Sequence, residues 1–181
     1  MERQDNFKEG ITRVLTRGEV NIARDIFLNS IDYSSVTIHC DSYFPFGLQN
    51  PAYAMAPNGE LWFRKEMYQA DFSKAILTYQ LTFIHEMAHV WQFQQGMWVR
   101  LRGLLSWVAD YKYRFDGRKK LKDYSMEQQA SIIADYWLLK RYGHRTWLDY
   151  TNRGVNFQGV SDKYIYLKYE YVLSNFLRHR L

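Results

Sequence analysis

The sequence predicts an α+β fold, mostly helical, with a small β-sheet or hairpin in its N-terminal third, as a single domain over residues 1–181. Apolar residues recur at helical spacing in several long segments. Strand-like runs are confined to the first third, and all three prolines fall between Pro45 and Pro57.

The elements follow in order. Val20, Ala23, Ile26 and Phe27 give Glu19–Phe27 one apolar helical face. Residues 31–40 then turn extended, with β-branched Val36, Thr37 and Ile38. Pro57-Asn58-Gly59 separates Tyr53-Ala54-Met55 from Glu60-Leu61-Trp62-Phe63, which is a hairpin signal. A long helix follows, with Asp71 or Ser73 to cap it and Gly96 to stop it. Its stripe is Leu77, Leu81, Ile84, Ala88 and Trp91. A further helix is expected over about Gly103–Tyr113. Another starts at Ser125, where Ser125-Met126-Glu127-Gln128 matches a capping box, and runs to Gly143. An amphipathic segment over about Ser161–Leu177 closes the chain.

Composition bounds the function. Hydrophobic residues are 47% and charged residues 24%, so the chain is globular in type. No apolar run approaches the roughly 20 residues of a membrane span. The polar start Met1-Glu2-Arg3-Gln4-Asp5 lacks the apolar stretch of a secretory signal. The lone Cys40 excludes an internal disulfide and reads as a small apolar strand residue. The basic run Arg118-Lys119-Lys120-Leu121-Lys122 reads as a solvated loop. Net charge is +5, and 32 residues are aromatic. Many aromatics fall at helix or strand spacing around the motif described next, so they read as core and not as stacking platforms for nucleic acid.

Inside the long helix lies His85-Glu86-Met87-Ala88-His89, an H-E-x-x-H pattern. Residues four apart differ by about 40° around a helix, so both imidazoles project to one side and can bind one Zn²⁺. Glu86, roughly 60° from His89, is placed to act as general base on the attacking water. Two imidazoles and a carboxylate buried together without a metal would all need partners. A zinc peptidase needs a third protein ligand. Position 92 is Gln, which excludes the three-histidine extension of the motif. Among downstream carboxylates Glu127, in the first turn of the Ser125 helix, is the best placed, although a first-turn acid also simply complements the helix dipole. Asp135, two turns on, could orient a histidine or be the ligand itself. Tyr124 is a candidate transition-state stabiliser by its proximity to Glu127. Glu60-Leu61-Trp62-Phe63 could pair with an extended substrate backbone, or be an ordinary core strand.

Several runs resemble small bacterial proteins associated with Rhs and VgrG elements. They are Leu15–Glu19, Phe27 with Ile31-Asp32-Tyr33, Val36–His39, Ala56–Glu60, Phe83–Gln92 and Met126–Tyr136. The similarity covers roughly residues 12–140. Members occur free-standing or as C-terminal metallopeptidase domains of type VI secretion spike proteins. The resemblance implies a zincin-like domain whose active-site helix carries the motif, with zinc held by His85, His89 and Glu127 and Glu86 as base. It further implies an antibacterial toxin made in the bacterial cytoplasm, delivered without a signal peptide, acting in a target cell's periplasm and neutralised by an immunity protein. A protein or peptide substrate is expected, with peptidoglycan stem peptides, or a non-enzymatic envelope-binding role, as alternatives. The chain starts near the catalytic region, so delivery as cargo or loss of a delivery module is expected.

Overall fold

A short strand that the hydropathy pattern does not announce opens the fold. In the computed structural model, which describes residues 7–97, 110–152 and 156–179, Ile11–Val14 forms β1. Three of its four side chains are exposed, so the strand has no apolar alternation to reveal it. Arg17–Phe27 forms α1, capped by Thr16 in a reciprocal box with Glu19. Glu19 is fully buried. Its carboxylate accepts from Arg13 Nη2 at 2.7 Å, Arg13 Nη1 at 2.8 Å, Thr16 N at 2.8 Å and Phe72 N at 2.9 Å. A buried charge is tolerated when paired and hydrogen-bonded in this way. Here it joins β1, α1 and the segment leading to the next helix.

Thr37–Cys40 (β2) pairs antiparallel with β1 and parallel with Leu61–Phe63 (β3), giving the order β1-β2-β3. The expected extended run is shorter than its β-branched residues suggest, because Tyr33–Ser35 winds into a 3-10 turn capped by Asp32. The hairpin is present as a single antiparallel bridge, in which Met55 and Trp62 exchange both hydrogen bonds at 3.0 and 2.8 Å. Gly59 turns the chain at φ +78°, and a Cβ there would meet the Phe93 ring at 2.7 Å.

The motif helix, α2, spans Leu77–Gln94. Asp71 does not cap it. Its Oδ1 accepts from Ser73 N–H at the start of a 3-10 turn over Phe72–Lys74, and extended Ala75 separates that turn from α2. Ile76 is the N-cap and offers no side-chain bond. Gly96 ends the helix as expected, with φ +78° and the paired bonds Gly96 N to Phe93 O and Met97 N to Gln92 O.

Met126–Thr151 forms α3, started by the predicted Ser125–Gln128 capping box. Gly143, at φ +81° and ψ 172°, interrupts it, but helical residues resume beyond to Thr151. The final amphipathic segment divides at Leu173 into α4 (Ile165–Val172) and α5 (Ser174–Arg178). Most of the helix expected over about Gly103–Tyr113 lies outside the described residues. Within it, residues 110–113 are not helical, and Tyr113 instead bridges Phe157 in parallel.

The core lies where α2 packs along α3, with α1 and the sheet against them. Phe72 stacks on Phe83 and meets Phe63 at a tilt. Trp137 donates to Ile22 O at 2.9 Å, tying α3 to α1. Cys40 is buried in β2, and burial pushes its thiol up to about 11, consistent with a packing role. No helix among the described residues is long and apolar enough to cross a membrane.

Candidate metal centre

The motif helix is buried over most of its surface. Phe83, Ile84, Met87, Ala88 and Val90 are wholly enclosed, while Glu86 and His89 are nearly so and His85 is half-buried. From the facing helix, the first turn of α3 brings Glu127 to both imidazoles. Its Oε2 lies 3.2 Å from His85 Nε2 and 3.0 Å from His89 Nε2. One ligand atom from each of the three residues lies within 4.8 Å of the others. Ligand atoms about 2.0–2.1 Å from a tetrahedral zinc stand roughly 3.3 Å apart, so the donor set fits. Asp135 is not a member of this cluster.

Hydrogen bonding fixes which face of His89 is offered. Gln92 Nε2 donates to Met126 O at 3.0 Å and to Gln129 Oε1 at 3.1 Å, while Gln129 Nε2 donates to Tyr124 O at 2.9 Å. With its amide oriented in this way, Gln92 presents Oε1 to His89 Nδ1 at 2.8 Å. The Nδ1 therefore carries a proton, which leaves Nε2 as the ring nitrogen turned toward Glu127. Two imidazole nitrogens and a carboxylate oxygen converging in this manner call for a cation between them. A proton is one such cation. Burial disfavours charge on His89, but Glu127 outweighs it and lifts the imidazole to about 9. For Glu127, burial works upward and is overcome by the two histidines, which hold the carboxyl well below its ordinary range. Glu86 is raised, chiefly by burial and further by Glu127, against the opposing pull of both histidines.

These residues open onto a cavity of about 450 Å³. One wall is the chain from Ala52 to Pro57, another is α2, and the floor is α3. The predicted substrate-pairing run Glu60–Phe63 does not line it. Leu61 and Phe63 are buried, and Trp62 has both backbone groups bound to Met55. Residues flanking a hydrogen-bonded antiparallel pair turn their N–H and C=O outward. Ala54 and Ala56 hold those positions beside Met55, so the strand edge at the cavity belongs to them.

Tyr124 is not brought to the cavity, since its hydroxyl donates to Arg114 O at 3.0 Å. Tyr111 stands near the cluster instead, its ring centroid 5.8 Å from that of His85. Burial, then the charges of Glu127 and Glu86, push its phenol well above the ordinary value, so it stays protonated. Its neighbours pin it: Gln128 Nε2 donates to Lys112 O at 2.7 Å, and Tyr113 exchanges backbone bonds with Asn156 and Gln158. Asp135 does reach the cavity, yet its partners are Tyr113, whose hydroxyl donates to Oδ2 at 2.6 Å, and Asn156. It touches neither His85 nor His89 in these bonds. Sequence reasoning missed Gln92, Gln129 and Tyr111. The one available signal was Gln92 itself, a polar residue one turn beyond His89 on the same buried face.

No family model matches the chain. Over 135 residues it is 43% identical to the type VI secretion system spike protein VgrG2b of Pseudomonas aeruginosa. That match takes in 71% of this chain but spans only 13% of the spike protein's length. Among solved structures, the effector domain of Pseudomonas aeruginosa VgrG2b superposes with a TM-score of 0.66 at 36% identity, covering 82% of this chain and 86% of that one. Similarity of sequence and fold across most of both chains places this protein in the family of the VgrG2b effector domain.

Proposed function

We propose that this protein is a zinc-dependent peptidase, and that it serves as an antibacterial type VI secretion effector in the periplasm of a target cell, with a cognate immunity protein. The observation that carries the enzymatic reading is the convergence of His85 Nε2, His89 Nε2 and Glu127 Oε2 beside the buried carboxylate of Glu86, at the wall of an open cavity. His85, His89 and Glu127 would hold the zinc, which would supply Lewis acidity for a carbonyl and for water near neutral pH.

The chain's own groups do the rest. Glu86 takes the proton of the attacking water and passes it to the leaving amine; its raised affinity for protons suits it to both transfers. Gln92 keeps His89 Nδ1 protonated and its Nε2 turned toward Glu127, where the metal would be held. The Tyr111 hydroxyl donates to the oxygen on which negative charge develops. The outward backbone groups of Ala54 and Ala56 align an extended substrate. The family membership supports the secretion role, since the relative's spike protein belongs to a type VI system.

The test is cleavage of a broad peptide library, together with metal content, for wild type and Glu86→Gln. We expect the variant to retain stoichiometric zinc and to lose at least about 10²-fold in rate. Full cleavage by the zinc-loaded variant would falsify the reading. Digests of purified sacculi, run in parallel, separate protein substrates from peptidoglycan stem peptides. Growth after periplasmic and cytoplasmic expression identifies the compartment of action.

A further inference from the structure

Beyond the metal cluster, α3 continues along the cavity floor with residues of a different kind. Ser131 and Asp135 follow Glu127 at one and two further helical turns, and both line the cavity. Ser131 is fully buried, and its hydroxyl has no hydrogen-bond partner among the described residues. A buried polar atom without a partner calls for an explanation, and here it lines an open cavity. Asp135 is also buried, with one oxygen receiving the Tyr113 hydroxyl and a further bond from Asn156.

The charge of the cavity points the same way. Its described lining carries Glu86, Asp110, Glu127 and Asp135, against Lys112 as the only Lys or Arg. The chain as a whole is basic, at +5. The acids are therefore concentrated where a ligand would enter. The path from Glu127 to Asp135 is about 12 Å along the helix axis, with apolar Ala134 beside its far end and apolar Met126 at its start. A side chain that enters beside the His85, His89 and Glu127 cluster must therefore be long to bring its head group to the carboxylate.

We propose that Ser131 and Asp135 form a specificity subsite for a long cationic side chain, of lysine or arginine type, on a substrate residue next to the scissile bond. The head group donates to Asp135 and Ser131 while its stem lies on Met126 and Ala134. The position next to the scissile bond rests on the peptidase reading; the affinity for a cationic side chain does not require cleavage.

Pentapeptides that differ only in one residue (lysine, arginine, norleucine or glutamate) provide the test. Two quantities are measured: kcat/KM of the zinc-loaded protein, and calorimetric affinity for the zinc-loaded Glu86→Gln chain. We expect lysine and arginine to exceed norleucine by about tenfold or more in both, with glutamate weakest. Asp135→Asn should bring the lysine-to-norleucine ratio close to one, and Ser131→Ala should lower it partway. Equal treatment of lysine and norleucine by wild type overturns the subsite, as does a preference for glutamate. So does an Asp135→Asn protein with wild-type near-UV circular dichroism that keeps the full preference. If Asp135→Asn does not fold, the wild-type comparison and Ser131→Ala still decide. Selective binding of lysine peptides without cleavage of any would sink the peptidase reading and leave the subsite standing. Cleavage without selectivity would do the reverse.

Discussion

At the scale of single residues, the centre depends on side chains whose only task is to hold others. Gln92 is wholly buried, and all its amide bonds are accounted for by His89, Met126 and Gln129. Replacing it with leucine keeps the volume near but frees the His89 ring to change tautomer. We expect Gln92→Leu to weaken zinc binding by about 10–100-fold, read by competition with a chromophoric chelator. Wild-type affinity in that variant would show that α2 and α3 orient the ring without help. His85, Glu86 and His89 were legible in the sequence because helix periodicity alone sets their common side. Gln92 was visible as a letter but not as a partner, since the amide's orientation is decided by Met126 and Gln129, both more than thirty positions away.

At the scale of elements, the two long helices show what local signals can and cannot give. The start of α3 was readable: Ser125 and Gln128 satisfy each other within one turn, which is a local chemistry. The start of α2 was misplaced, because Asp71 is a competent cap that spends its oxygen on a 3-10 turn. The true N-cap, Ile76, is exposed and leaves the first N–H groups of α2 without a side-chain acceptor. Ile76→Asp should therefore stabilise the protein by about 0.5–2 kcal/mol, visible as a higher urea midpoint with unchanged slope. A fall in midpoint would mean that the isoleucine side chain packs more usefully than its exposure indicates. Strand β1 was unreadable for another reason: one edge pairing and the Arg13–Glu19 ion pair, and not a buried apolar face, hold it in place. The run Glu60–Phe63 was correctly extended, but its outer edge is closed by Met55, so the role offered to it passes to Ala54 and Ala56.

At the scale of the whole molecule, buried polar groups tie distant segments and make stability depend on pH. Asp135 receives Tyr113, Tyr113 meets Tyr169 at 2.5 Å, and Trp147 donates to Tyr169 at 3.2 Å. The network joins α3, the 110–115 segment and α4. Burial lifts the Asp135 carboxyl to about 7, against an unfolded value near 3.8. Between these values the folded state holds a proton that the unfolded state has released, so this group lowers stability as pH rises through that window. Asp135→Asn removes the effect. Metal-free wild type and variant should converge toward pH 4 and diverge in the variant's favour toward pH 7, by at most about 1.4 kcal/mol per pH unit. Urea titrations across that range supply the comparison, and a constant difference would show that Asp135 does not titrate there.

The sequence by itself determined the chemistry that depends on near neighbours: the paired imidazoles and carboxylate of one helix, the capping box of another, the glycines that end or break them. It also marked Glu127 as the best-placed candidate for a third ligand among the downstream carboxylates, although a first-turn acid also simply complements the helix dipole. Only tertiary structure decided that Glu127 meets both histidines on one oxygen, that Tyr111 and not Tyr124 borders the cluster, and that Ser131 and Asp135 floor the cavity. The physical reason is the same in each case. Local periodicity is set by backbone geometry over three or four residues, whereas contacts across some forty positions are set by how α2 and α3 pack.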